Sequence, residues 1–363
     1  MLNETPKFDV YIDDYTREVL ANKKKYPSGD GHYVSKWKKL SQLCFMAASL
    51  LLVVLVIFLI INKQYVIDQV RVWNYTPTEE TKSLANGSGL NDYGIFLFYS
   101  GHPILESSSN FNNMCDRVEK ITSVLGCYKN HNIYLYDIKN EQLEGIREVT
   151  ATHETLHVAY DRLSEIEKDR VDALLENEYT KLENNENFKY KMAFYARTEP
   201  GQRGNELHSV IGTEVGSISP ELETHFLKYF YDRQKIVALN TKYISIFQDL
   251  ENQTNALELE LNTLGKDISD RSNEYDQKIK NLNKDIEQFN VKTRSGMFTT
   301  PSQFNIEREM LVARVDDLDA SKNSIYSDSK HYNELIEELN LISFKSQNLY
   351  NSIDSTLAPA PTL

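Results

Sequence analysis

The chain has 363 residues, is 40% hydrophobic and carries a formal charge of −13, from 40 Lys and Arg against 53 Asp and Glu. That length allows two or three structural units, and the acidic balance leaves no basic footprint for nucleic acid. Three cysteines without a C-x-x-C pair exclude a disulfide-dense scaffold and a cysteine zinc cluster.

Residues 1–39 form a charged N-terminal segment. From Leu40 to Asn62 no charged residue occurs, and Leu43 to Ile61 is almost continuously apolar, which is the length of a bilayer core. One transmembrane helix over 40–62 is therefore expected. A cleaved signal peptide would have a shorter apolar region ending in small residues, whereas Asn62-Lys63-Gln64-Tyr65 follows here. Lys23, Lys24, Lys25, Lys36, Lys38 and Lys39 precede the span, and only Lys63 and Arg71 follow it closely. Cations of this kind stay on the cytoplasmic side. The expectation is a single-pass cell-membrane protein with a cytoplasmic N-terminus and extracytoplasmic C-terminal domains.

Residues 63–91, with Asn86-Gly87-Ser88-Gly89, read as a partly extended stalk. A zinc domain over 92–218 follows. Its first elements are a buried strand at Gly94-Ile95-Phe96-Leu97-Phe98-Tyr99 and a helix from Phe111 to Leu125 closed by Gly126. Cys115 and Cys127 flank that helix. Outside the cytoplasm they are expected to be bridged, which would contribute about 3 kcal/mol through the unfolded state; two buried free thiols are the alternative. Cys44 lies in the anchor.

Asn132 to Ile138 reads as a strand, and Gly145 to Leu163 as a helix containing His153-Glu154-Thr155-Leu156-His157. Two histidines four apart rise on one helical face, so both imidazoles can hold one metal ion, while Glu154 can reach a water beside it. Ser164-Glu165-Ile166-Glu167 is a capping box that starts a second helix, running to about Leu182. A third ligand must then come from downstream, and Arg203 to Gly212 offers Glu206 and His208, with Asn205 as N-cap. Glu206 and His208 stand roughly 200° apart on a helix, so both cannot face one metal. Glu214 is a further candidate.

The strand followed by an H-E-x-x-H helix resembles the zincin metallopeptidases, in which an edge strand takes an extended peptide by β-augmentation. Tyr160 and Leu163 stand where the metzincin branch has Gly and His. With Glu206 the set becomes two His and one Glu, which resembles the gluzincin branch over roughly residues 92–216. The resemblance implies Zn²⁺ held by His153, His157 and Glu206, Glu154 as general base, and a peptide or protein substrate. His208, if not a ligand, would polarise the scissile carbonyl together with Tyr195 or Arg197. Asp161, one turn beyond His157, is either positioned to orient a ligand or a solvated helix end.

Ser219-Pro220-Glu221 caps a new helix. From there apolar residues recur in threes and fours (Ile246, Leu250, Leu257, Leu261), pause at Gly296 and Pro301, and resume from Val315 to Ile353. Two such runs around one break predict an antiparallel coiled-coil hairpin over 219–355, followed by a flexible tail at 356–363. The fold class is thus α+β: a single N-terminal transmembrane helix, a zincin-like metallopeptidase domain and a long helical hairpin. The expected function is a membrane-anchored zinc metallopeptidase, with a protein partner or cell-envelope polymer at the hairpin. The alternative is an envelope tether, adhesion or scaffold protein whose zinc site is structural or vestigial.

Overall fold

The computed structural model describes residues 31–115 and 124–356, with side chains from Trp37 onward. The expected flexible tail lies outside the described residues, apart from Thr356. The chain divides into two compact units, Met1–Ile67 and Asp68–Leu363.

In the first unit, helix α1 (Gly31–Ile61) contains Trp37–Ile61, a stretch of mean hydropathy 3.2 with no buried residue. It is long and apolar enough to cross a membrane.

The second unit is mainly helical. Where an extended stalk was expected, helices α2 (Lys63–Asn74) and α3 (Glu79–Gly87) form instead. Thr78 caps α3 by accepting from Thr81 N, and Leu84 and Ala85 enter the core. The predicted strand at 94–99 is helix α4 (Asp92–Ser100), started by Asn91, whose side chain accepts from Gly94 N. A six-residue apolar run has no period that tells a buried strand from a buried helix, and the Asn91 cap decides it. Of the expected helix from Phe111 to Leu125, the first residues lie in α5 (Ser108–Met114), residues 116–123 lie outside the described residues, and Gly126 opens a strand rather than closing a helix. Cys115 and Cys127 are disulfide-bonded, as expected.

Three short strands make the sheet: β1 (Ile104–Glu106), β2 (Gly126–Lys129) and β3 (Asn132–Tyr136), in the order β1-β3-β2. β3 pairs parallel with β1 and antiparallel with β2. Asn130 and His131 both adopt positive φ, 52° and 64°, which gives the tight turn that twisted hairpins prefer. β3, expected to offer a free edge, is therefore the central strand, and among the described residues β1 and β2 are the edges.

Helix α6 (Ile146–Asp161) carries the two metal-motif histidines through the middle of the unit. It is buried almost all round, with Leu156 and Val158 fully enclosed. Its threonines tolerate this because Thr150, Thr152 and Thr155 return their hydroxyls to the carbonyls of Ile146, Glu148 and Ala151 at 2.7–2.9 Å. Arg162, just past its end, forms a two-pronged pair with buried Asp68, 2.9 Å to each oxygen. Helix α7 (Glu165–Leu182) begins on the predicted capping box. Helices α8 (Glu186–Thr198) and α9 (Arg203–Glu214) follow, and α9 packs on α6.

The Ser219-Pro220 start yields only the short α10 (Pro220–Phe226). The hairpin begins later, at Asp232, and consists of α11 (Arg233–Arg294) and α12 (Pro301–Ile353). At 1.5 Å per residue these arms reach about 90 and 80 Å. Leu250, Leu257, Leu261 and Leu282 of one arm are buried together with Leu318, Leu335, Ile342 and Leu349 of the other. Asp285 pairs with Arg314 at 2.7 Å and Lys292 with Glu307 at 3.0 Å, while Arg271 pairs with Asp328, which fixes an antiparallel register. At its base the hairpin is part of the unit rather than an appendage. Arg233 is buried and donates to the Val215 and Gly216 carbonyls at 2.7 and 3.1 Å, so it satisfies the C-terminal end of α9.

Candidate metal centre

On α6 the ligand-type atoms of His153, Glu154 and His157 lie within 4.8 Å of one another, a group that could hold a metal ion. The two imidazoles stand edge to face, with ring centroids 4.8 Å apart. Glu206 meets them from α9. Its Oε1 is 3.6 Å from His157 Nε2, and its Oε2 is 3.9 Å from His153 Nε2. Glu206 is 2% exposed, and its Oε2 has no hydrogen-bond partner. A buried carboxylate oxygen without a donor, facing two imidazole nitrogens, fits a cation held between them.

The tautomer of His157 is fixed. Its Nδ1 lies 2.9 Å from Asn205 Oδ1, and because an amide oxygen only accepts, that nitrogen carries the proton. Ser209 Oγ supports it at 3.2 Å, and Nε2 is left with its lone pair toward Glu206. Asn205 is therefore not the cap of α9, which starts at Arg203 after Gln202; it orients a candidate ligand. Asn205 and Ser209, one turn apart and beside Glu206, form a polar face visible in the sequence, but only the fold shows that it meets α6.

Glu154, 4% exposed, turns toward the edge strand: a methyl group at Gly126 would sit 2.8 Å from its Oε1 and 2.6 Å from Thr150 Cγ2. The absence of a side chain at Gly126 is thus what lets β2 lie against this carboxylate. Tyr195 on α8 stacks over His153, with ring centroids 6.4 Å apart. Arg197 is exposed and donates to the Ala193 carbonyl one turn back. Glu214 pairs with Lys191, and Asp161 stands exposed at the rim.

His208 is placed elsewhere, contrary to its expected role at the scissile carbonyl. It points away from Glu206 and is fully buried, with its Nε2 2.9 Å from His225 Nε2 and its ring packed on Tyr160 of α6 and Phe226 of α10. The roughly 200° separation from Glu206 keeps it off the two histidines once Glu206 faces them. A residue the sequence did not single out is brought in instead. Glu199, on the turn after α8, lies close enough for its charge to act on Glu154, His157, Tyr195 and Glu206.

His153, Glu154, His157, Tyr195, Glu199 and Glu206 line a cleft of about 870 Å³ between β2, α6, α8 and α9. Burial holds His153 and His157 below the ordinary histidine range and raises the Glu154 carboxyl. Burial, then the neighbouring Glu199 and Glu154, push Glu206 up to about 9. Without a metal, Glu206 therefore keeps its proton at pH 7, and a cation must displace it. Apparent metal affinity is expected to rise up to about tenfold per pH unit from 7 to 9 and then level off. In the metal-free protein the folded Glu206 binds a proton that the unfolded chain has already lost, so stability should fall as pH rises through that window. The buried histidines oppose this near pH 7, where the unfolded chain still protonates roughly a quarter of each, and add nothing above about pH 8. Thermal melts in chelator between about pH 8 and 9 check the sign; a metal-free melting temperature that climbs across that interval would contradict it.

Comparison of the chain with family models, with curated proteins and with solved structures finds no match.

Proposed function

We propose that this chain is a membrane-anchored zinc metallopeptidase with its catalytic unit outside the cytoplasm. One observation carries the proposal: two imidazoles from one helical turn and a buried carboxylate from α9 converge on a point, with a second carboxyl beside it, at the base of an open cleft. Two His and one Glu are the donor set of a catalytic zinc site with one position open to solvent or substrate. When bound, the ion would act as a Lewis acid on a peptide carbonyl and lower the pKa of a water.

The chain's own groups would do the remainder. Glu154 takes a proton at its carboxylate from the attacking water and returns it to the leaving amine. Asn205 and Ser209 hold His157 in the tautomer that leaves Nε2 free. The Tyr195 hydroxyl, kept protonated by burial and then by the Glu206 charge, donates to the developing oxyanion. The outer edge of β2, open toward the cleft, accepts an extended peptide by main-chain pairing.

Glu154→Gln tests this reading through two readouts at once, metal content and peptide turnover. The hairpin favours a second reading, a tether or scaffold. Its tip gathers Phe289, Phe298 and Phe304 with ring centroids 5.2–5.4 Å apart, and leaves Met297 66% exposed. A tether would keep its function in Glu154→Gln. The orientation follows from the lysines before the anchor. Protease added to intact cells should then remove the mass beyond residue 63 while an N-terminal tag stays protected; digestion only after lysis would reverse the topology.

A further inference from the structure

The cleft carries more negative charge than a metal ion and its base require. Glu154, Asp161, Glu199, Glu206 and Glu214 all line it. A divalent ion would offset Glu154 and Glu206, and Lys191 already pairs with Glu214. Asp161 and Glu199 are left over, and neither has an ion-pair partner among the described residues.

Glu199 holds the more telling position. It is exposed and lines the same cleft as Glu154, His157, Tyr195 and Glu206. The turn that carries it is constrained, with Pro200 next and Gly201 at φ +89°. The cleft is also lined by aromatic rings: Tyr190, Phe194 and Tyr195 from α8, with Tyr128 on β2. Aromatic faces beside an uncompensated carboxylate suit a cationic side chain, whose stem packs on the rings while its head meets the acid. An acidic or phosphorylated side chain would meet like charge instead.

We propose that Glu199, seconded by Asp161, makes this site select peptides that carry Lys or Arg next to the scissile bond. The proposal rests on the metallopeptidase reading for its cleavage arm and on the cleft alone for its binding arm. Losing a hydrogen bond to a charged group lowers affinity or kcat/KM roughly 10- to 100-fold.

The experiment compares matched peptides in which one lysine is either free or acetylated, so that the ammonium head is replaced by a neutral amide on the same stem. With full-length, zinc-loaded protein in nanodiscs, the free-lysine peptide should be cleaved roughly 10- to 100-fold more efficiently. Glu199→Gln should shrink that ratio toward one, and Glu199→Arg should invert it in favour of the acetylated peptide. Because each ratio is taken within one protein preparation, a general loss of activity does not mimic the effect. The binding arm uses Glu154→Gln protein and calorimetric titration with the same pair; tighter, salt-sensitive binding of the free-lysine peptide, lost on adding Glu199→Gln, supports the proposal. Equal binding of the two peptides, or a ratio untouched by Glu199→Arg, overturns it while leaving hydrolysis itself standing. Absence of any hydrolysis by zinc-loaded wild type overturns the metallopeptidase reading, and the binding arm then still decides the preference for cations.

Discussion

Glu154→Gln is expected to keep the metal content near one ion per chain while peptide hydrolysis falls by about 10²-fold or more, the size expected for loss of a general base. Glutamine has the same shape, which matters here because the side chain is almost fully enclosed between Thr150 and Gly126. Neither imidazole is touched, nor is the hydrogen bond that orients His157. His157→Ala provides the contrast. It removes a nitrogen donor and strands Asn205, so metal affinity should fall by orders of magnitude and activity with it. Metal analysis and turnover of a peptide library, run on the same preparations, separate the two effects. Equal turnover in Glu154→Gln and wild type would remove the general base from the mechanism. Unchanged metal content in His157→Ala would remove the site.

The second large effect is expected on α9. Glu206→Ala should resemble His157→Ala in metal content, because the carboxylate lies within 3.6–3.9 Å of both candidate histidine donors. His208→Ala should keep its metal and lose stability instead, by roughly 2–4 kcal/mol, since it empties an enclosed space between Tyr160 and Phe226 and leaves His225 without its partner. Metal content and thermal melting of the two variants give opposite patterns if this is right. Loss of metal in His208→Ala with retention in Glu206→Ala would exchange their roles and undo the gluzincin comparison.

Much of this molecule is legible in one dimension because its signals are local or periodic. The apolar stretch that forms α1, the capping box that starts α7 at Glu165, the Cys115–Cys127 pairing and the two arms of the hairpin all follow from composition, spacing or a repeat of threes and fours. The pair His153 and His157 belongs to the same class, since four residues on a helix fix a common face whatever surrounds it.

What the sequence determined by itself, then, is which residues share a helix face and where helices start: His153 with His157, Asn205 with Ser209, and Glu206 opposed to His208. What only the tertiary structure decided is which of those faces meet. The apolar run at 94–99 is helix rather than strand because the Asn91 side chain caps it and the core encloses it. The rotation of α9 about its own axis is set by contacts far apart in sequence. Gly212 lies so close to α6 that a methyl group there would be 2.4 Å from Leu156 Cδ1, and Arg233 from the hairpin closes the carbonyls at the end of α9. Those contacts turn Glu206 toward the two histidines and His208 away. No local propensity could choose between the two, because a helix specifies the angle between its side chains and leaves its orientation to packing.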